Sequence, residues 1–343
     1  MIRSALLALC AGLFAAALPA RADVPPPPKS LVLYTQRHYQ FDETLQKMFQ
    51  EKTGIRVDVV KAGADELIAR LQEEGDKTEA DLFMTADGGG LEKAKQAGLL
   101  QPHAEVVLSR VPDTLRDPEG HWVALTKRAR VIVYSPERVK PGELSTYEDL
   151  ADPKWRGRLV VRSSANAYNQ SLLATFIAAN GAEAAGAWAT AVRKNMARPP
   201  QGSDRDQIRA VAAGLADVAI SNTYYLGLLE TSEDPKDREA AAAVKIFFPN
   251  QEGRGTHINI SGAGIVKGSK KTAEAQAFLE FLLSDEIQTM IASETFEYPV
   301  VESAAWSAVQ TRWGKFKADA VPLAALANHN AEAVRLFNLA GWE

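Results

Sequence analysis

The 343-residue chain has one cysteine, Cys10, and it sits inside an N-terminal stretch with the marks of an export leader. Arg3 supplies a positive charge, Ala5 to Leu18 an apolar run, and Ala20-Arg21-Ala22 a small-x-small cleavage site ahead of Asp23. Leu9, not a small residue, precedes Cys10, so a cleaved leader (1–22) fits better than a lipid anchor. Cleavage leaves no thiol, which excludes disulfides and thiolate-held soft metals. Beyond the leader, no run approaches the ~20 consecutive apolar residues of a membrane span. Basic tracts are missing too. The formal net charge is −4 and removal of Arg3 and Arg21 makes the remainder more acidic, so nucleic acid has no electrostatic foothold. The chain reads as a soluble exported protein, periplasmic in location.

Other absences narrow the chemistry. Gly88-Gly89-Gly90 is followed by no Lys-Ser/Thr and has no GxGxxG spacing, so it reads as a strand-to-helix turn and not as a phosphate cradle. Gly262-Ala263-Gly264 is weaker still. No GxSxG elbow supports a hydrolase. His103, His121, His257 and His329 are scattered singly, each more often a surface or satisfied histidine than a ligand.

What remains is an alternation of strand and helix signals. Val24-Pro25-Pro26-Pro27-Pro28-Lys29 is a stiff spacer (23–30) ahead of the first strand, Leu31 to Thr35. Asp42 to Thr53 has helical spacing through Leu45, Met48 and Phe49, with Gly54 placed to end it. Ile55 to Val60 and Asp81 to Ala86 read as strands flanking a helix at Asp65 to Glu74. Residues 122–125 and 129–134 read as two extended runs separated by Lys127-Arg128. A second series follows, with a strand at Ala216 to Ile220 and helices at Ser171 to Ala179, Glu183 to Arg193 and Asp206 to Ala213. The chain then returns through Val244 to Phe248 and Asn259 to Val266. Alternation of this kind predicts parallel βαβ units and an α/β fold of two lobes with a cleft between them. The expected division is 31–126 plus 255–300 for one lobe and 127–254 plus 301–343 for the other.

The tyrosines are the most informative residues present. Tyr224 and Tyr225 stand side by side after Ser221-Asn222-Thr223, where a core would want one ring and no hydroxyls. Tyr39 in Gln36-Arg37-His38-Tyr39-Gln40 and Tyr168 in Asn166-Ala167-Tyr168-Asn169-Gln170 lie in equally polar settings. Tyr34 and Tyr134, within apolar strands, read as core; Tyr147 and Tyr298 have no metal-directed context. Oxygen donors select hard cations, so four phenols and an imidazole converging on one point would suit a hard, highly charged metal. Asn222 or Thr223 could cap a helix beginning at Tyr224, whose positive end favours phenolate.

Leu33-Tyr34-Thr35-Gln36-Arg37-His38-Tyr39 resembles the first-strand motif of bacterial ferric iron solute-binding proteins that feed ABC importers. Asp81-Leu82-Phe83-Met84-Thr85-Ala86-Asp87 and Tyr147 to Arg158 are similar to further segments of that family, and the likeness covers most of the mature chain. The resemblance implies the two-lobed periplasmic binding protein fold (type II) with its ligand in the interlobe cleft. It also implies Fe(III) as transported ligand, held by His38, Tyr39, Tyr168, Tyr224 and Tyr225, and delivery by a monomer to an inner-membrane ABC permease. Four phenolates around Fe(III) leave a formal charge of minus one, for which Arg37, Arg128 and Arg205 are candidate counter-cations. Two other readings use the same residues less well. A receptor of this fold for a polyamine, a thiamine-like compound or an oxyanion would leave the phenols unused. A tyrosine-ligated ferric enzyme needs more imidazole and an open coordination position, so no enzyme is expected.

Overall fold

The computed structural model describes residues 29–37 and 39–342. The leader, the spacer as far as Pro28 and the candidate ligand His38 lie outside the described residues.

Among the described residues ten strands are formed: β1 (Ser30–Thr35), β2 (Arg56–Lys61), β3 (Leu82–Thr85), β4 (Leu100–Gln101), β5 (Val123–Tyr134), β6 (Leu159–Val160), β7 (Val218–Asn222), β8 (Lys245–Phe247), β9 (Ile258–Val266) and β10 (Tyr298–Pro299). The main path runs β2-β1-β3-β9-β5-β7-β6, with β4 on β9 and both β8 and β10 on β5. β1 to β3 form the parallel βαβ arrangement that the alternation predicts. The partly exposed β2, with charge at both ends, takes the edge, where charge blunts further pairing.

The rest departs from an all-parallel sheet. β9 runs antiparallel to both β3 and β5, and β5 is one twelve-residue strand in place of the two runs expected from the sequence. Lys127 and Arg128 looked like a break, yet both continue the ladder, opposite Ile260 and Asn259. The first part of β5 pairs with β9, and Arg130 to Tyr134 pair with β7. The crossing strand therefore belongs to both halves of the molecule.

Three apolar clusters follow from that crossing. Leu33, Phe49, Leu67, Phe83, Leu91 and Phe278 represent the first, built on β1, β3 and β9. Trp155, Leu172, Trp188, Phe337 and Trp342 belong to the second, and Val131, Ile208, Leu226 and Leu229 to the third, on the opposite face of β5 and β7. The C-terminal stretch serves two of them: Leu323 and Leu326 enter the first cluster, Leu336 and Phe337 the second.

The triple glycine is not a turn before a helix, as the sequence suggested, but the first turn of the helix Gly88–Gln96. Asp87 caps it by accepting from Gly90 N. A Cβ on Gly89 would lie 2.7 Å from the Asp87 carboxylate, so the start of this helix is packed too tightly for side chains.

Candidate metal centre

Each phenol is placed by an element end. Tyr39 occupies the N-cap position of the helix Gln40–Thr53, just after β1. Tyr168 is the second residue of the helix Ala167–Asn180, where the Asn166 side chain accepts from its backbone N–H at 2.9 Å. Tyr224 and Tyr225 open the helix Thr223–Glu230, which follows the wholly buried β7. Strand ends and helix starts collect at one rim of an α/β sheet, which is where such folds bind ligands. Asn222 holds the N-cap position there but makes no side-chain cap bond. Its Oδ1 accepts from Arg130 at 3.0 Å instead, so the phenols sit at a helix start whose first N–H groups lack a side-chain acceptor from Asn222.

The structure brings Tyr39, Tyr168, Tyr224 and Tyr225 to the wall of one cleft of about 730 Å³, shared with Arg37, Ser203 and Arg205. Tyr224 Oη donates to Tyr168 Oη at 3.1 Å. The Tyr224 and Tyr225 rings lie 4.2 Å apart, and Tyr39 meets Tyr224 edge-on at 6.4 Å between centroids. Two consecutive helical side chains diverge by about 100°; being at the helix end, both still reach the cleft. Among the described residues no group of three or more His, Cys, Asp or Glu could hold a metal. The phenols are the metal-directed feature.

The cations differ from one another. Arg37 is buried, clamped by Asp42 at 3.0 Å, and its guanidinium covers the Tyr39 ring at 4.8 Å. Arg128 is buried and lies 5.2 Å from the Tyr168 ring centre; it also donates to the Ala86 carbonyl. Arg205 is exposed, 5.7 Å from the Tyr225 ring centre, at the cleft rim. The sequence reading missed three further groups. Arg130 and Arg162 both lie within 6 Å of the Tyr168 ring centre, Arg130 being paired with buried Asp204 at 3.0 Å. Glu297, wholly buried, accepts from Tyr39 Oη at 3.3 Å and from Thr126 Oγ1 at 2.7 Å. Arg37 and Arg128 approach that carboxylate at 3.6 and 3.7 Å. An acid in the otherwise apolar run Phe296-Glu297-Tyr298-Pro299-Val300-Val301 was the available signal.

Burial sets the acidity of the phenols. Desolvation first, then the negative charge of Glu297, raises Tyr39 well above its ordinary value. Desolvation and the neighbouring phenols do the same for Tyr224, and burial followed by Tyr168 and Asp204 raises Tyr225. A free site therefore keeps these hydroxyls protonated at neutral pH, and only a strongly polarising cation could take their place.

The tyrosines read as structural behave so. Tyr34 and Tyr134 lie in the two cores. Tyr147 is wholly buried, donating to the Arg130 carbonyl and accepting from His257 N at 3.2 Å. His103 is buried with its pKa down to about 4 through desolvation, and His121 bonds Asp117 at 3.0 Å.

A family model described as bacterial extracellular solute-binding protein matches residues 77–317. The iron uptake protein A1 of Synechocystis is 46% identical over 323 residues, covering 94% of this chain and 90% of its own length. Among solved structures, a Trichodesmium protein (IdiA, FutA), in complex with iron and citrate ligands, superposes with a TM-score of 0.86 at 45% identity. The match covers 92% of this chain and all of that one. The ferric binding protein of Campylobacter jejuni gives a TM-score of 0.86 at 43% identity, covering 91% of this chain and all of its own. With the family model spanning most of the chain and relatives above 40% identity matched nearly end to end, this chain belongs to the bacterial extracellular solute-binding proteins, in the bilobal fold of the periplasmic ferric-binding proteins.

Proposed function

We propose that this chain is a periplasmic receptor that captures Fe(III) in the cleft between its lobes and delivers it to an inner-membrane ABC permease, acting as a monomer and without turnover. The observation that carries the reading is the convergence of Tyr39, Tyr168, Tyr224 and Tyr225 on one cleft. Phenolate is the hardest strongly basic oxygen donor among side chains, and Fe(III) is the common biological cation hard enough to displace its proton. His38 is assigned as fifth ligand on its place beside Tyr39. Arg37 and Arg128 offset the phenolate charge from behind, and Arg205 does so from the rim. The names of the relatives point the same way, since those proteins are iron uptake and ferric-binding proteins.

The cleft is larger than a bare ion requires. Iron together with a carboxylate anion is consistent with the same phenols and with Arg205 and Ser203 at the rim, and the Trichodesmium structure is named as a complex with iron and citrate ligands.

The test is optical and quantitative. Purified protein loaded with Fe(III) should show a visible tyrosinate-to-iron charge-transfer band at one iron per chain. The double change Tyr224→Phe with Tyr225→Phe removes two hydroxyls while leaving ring volume intact. It should abolish the band and tight binding with the far-UV circular dichroism unchanged. Retention of wild-type affinity would make the pair structural and sink the reading. Sustained oxygen uptake with a catechol, in proportion to iron, would replace the receptor by an enzyme.

A further inference from the structure

The turn that follows the helix Asp285–Thr295 has two features that nothing so far explains. Phe296 adopts φ 59° and ψ 13°, left-handed backbone that a bulky side chain rarely occupies. Such strain persists only where its surroundings demand it, and it concentrates at functional sites. Glu297, the next residue, is a carboxylate with no exposed surface, a costly group to bury unless its partners repay the desolvation.

The two residues meet different partners, Phe296 the Tyr224-Tyr225 helix and Glu297 the Tyr39 side. Phe296 is pressed against Gly227, where an added Cβ would lie 2.5 Å from the phenyl Cγ and 2.8 Å from Cβ. Gly227 stands on the helix Thr223–Glu230, one turn after Tyr224, so only glycine lets that helix approach so near. Glu297, in turn, accepts from Tyr39 Oη. Thr126 Oγ1, Arg37 and Arg128 occupy its remaining directions, and the Thr295 hydroxyl fixes the turn by accepting from Glu297 N at 3.2 Å.

We propose that residues 295–297 form a positioning element for the metal site, in which Glu297 orients the Tyr39 phenol while Phe296, seated on Gly227, sets how near the Tyr224-Tyr225 helix comes to it. One three-residue turn thus fixes both sides of the ligand shell. Glu297 acts on Tyr39 and not on the ion: it accepts from the phenol while the site is free, and once the phenolate has formed it acts through Arg37, which approaches Glu297 at 3.6 Å and covers the Tyr39 ring. The inference rests on the ferric reading above, and its tests separate the two.

The experiment is a double-mutant cycle on the loaded protein, with Fe(III) affinity read by citrate competition together with the energy of the visible band. Glu297→Gln keeps shape and an acceptor but loses the charge that holds Arg37 and Arg128 in place. It should lower affinity by roughly 10- to 100-fold, the usual cost of an outer-shell partner, and shift the band. In a Tyr39→Phe background the same change should cost less than about twofold, because the group on which it acts is gone. Equal losses in both backgrounds, or no loss in either, would overturn the proposal. Wild-type protein that takes up no iron would instead overturn the ferric reading. Should Glu297→Gln not fold, Gly227→Ala decides: its methyl holds the helix off Phe296, so iron release to excess chelator should quicken at least about tenfold while the far-UV circular dichroism stays native. Release at the wild-type rate with an unchanged band would count against the turn as a positioning element.

Discussion

A phenol is a poor ligand until it loses its proton, and in this cleft the proton is held more firmly than in water. Tyr39, Tyr224 and Tyr225 all titrate above their ordinary value because burial disfavours the anion. Bound iron would do the reverse, depressing the same groups, so each phenolate formed releases one proton. The sign follows by linkage: binding is favoured as pH rises, lost as it falls, and the slope of log affinity against pH counts the protons released. Removing one contributing phenol should lower that slope by about one. Tyr225→Phe, titrated by chelator competition between about pH 6 and 8, checks this; an unchanged slope takes Tyr225 out of the shell. Tyr34→Phe is the control, since its hydroxyl lies at 3.0 Å from Glu74, away from the cleft. The four phenols were legible in the sequence because their polar neighbours made no sense for a core. For Glu297 the sequence offered only an acid among apolar residues, a signal whose meaning appears when a distant Tyr39 and two arginines fold onto it.

At the scale of elements, the site depends on how closely β9 is sandwiched between β3 and β5. Gly262 pairs with Ala124 on one side and Thr85 on the other, and a Cβ there would meet the Val123 carbonyl oxygen at 2.5 Å and Leu91 Cδ1 at 2.7 Å. A backbone oxygen in a ladder cannot step aside. Gly262→Ala should therefore destabilise the fold by about 1 to 3 kcal/mol, the range for overpacking. In urea titration this should appear as a lower midpoint with an unchanged slope. Stability equal to wild type would mean that β5 and β9 separate more easily than the register implies. The same ribbon shows where pattern reading stops. The apolar runs on either side of Lys127-Arg128 were visible, but their union into one strand was not, because the charged Arg128 is buried by partners distant in sequence, the Ala86 carbonyl and Glu297. The Gly88 helix start was misplaced for a related reason: glycine is a poor helix former in isolation, and the Asp87 cap and close packing that override this are tertiary facts.

The whole molecule divides the proposed ligands between bodies with separate apolar clusters. Tyr39 is carried by the end of β1 and by a helix whose Leu45 and Phe49 belong to the first cluster. Tyr168 rides on a helix whose Leu172 and Phe176 belong to the second, and Tyr224 and Tyr225 on one whose Leu226 belongs to the third. Between the two sides, Asp87 Oδ1 accepts from Ser171 Oγ at 2.9 Å and from Asn259 Nδ2 at 2.5 Å, while β5 and β9 run continuously through the joint. Rotation of one body on the other about this joint would leave the three clusters intact, which is the hinge closure that the proposed receptor would use. In the arrangement described, Tyr39 and Tyr224 are in ring contact and Phe296 sits on Gly227. A cation bound by phenolates from both sides stabilises this arrangement by cancelling the repulsion that four anions would otherwise exert across the cleft. Solution scattering should therefore give a smaller radius of gyration with iron than without, and the loaded profile should match the one calculated from this arrangement. The Tyr224→Phe, Tyr225→Phe double variant, which keeps Tyr39 but loses two of the three phenols facing it, should show no iron-dependent contraction. A wild-type profile that fails to change on loading to one iron per chain would mean either a site confined to one lobe or a protein closed at rest. Gly227→Ala distinguishes these, because its methyl would enlarge a resting closed form and leave an open one as it was.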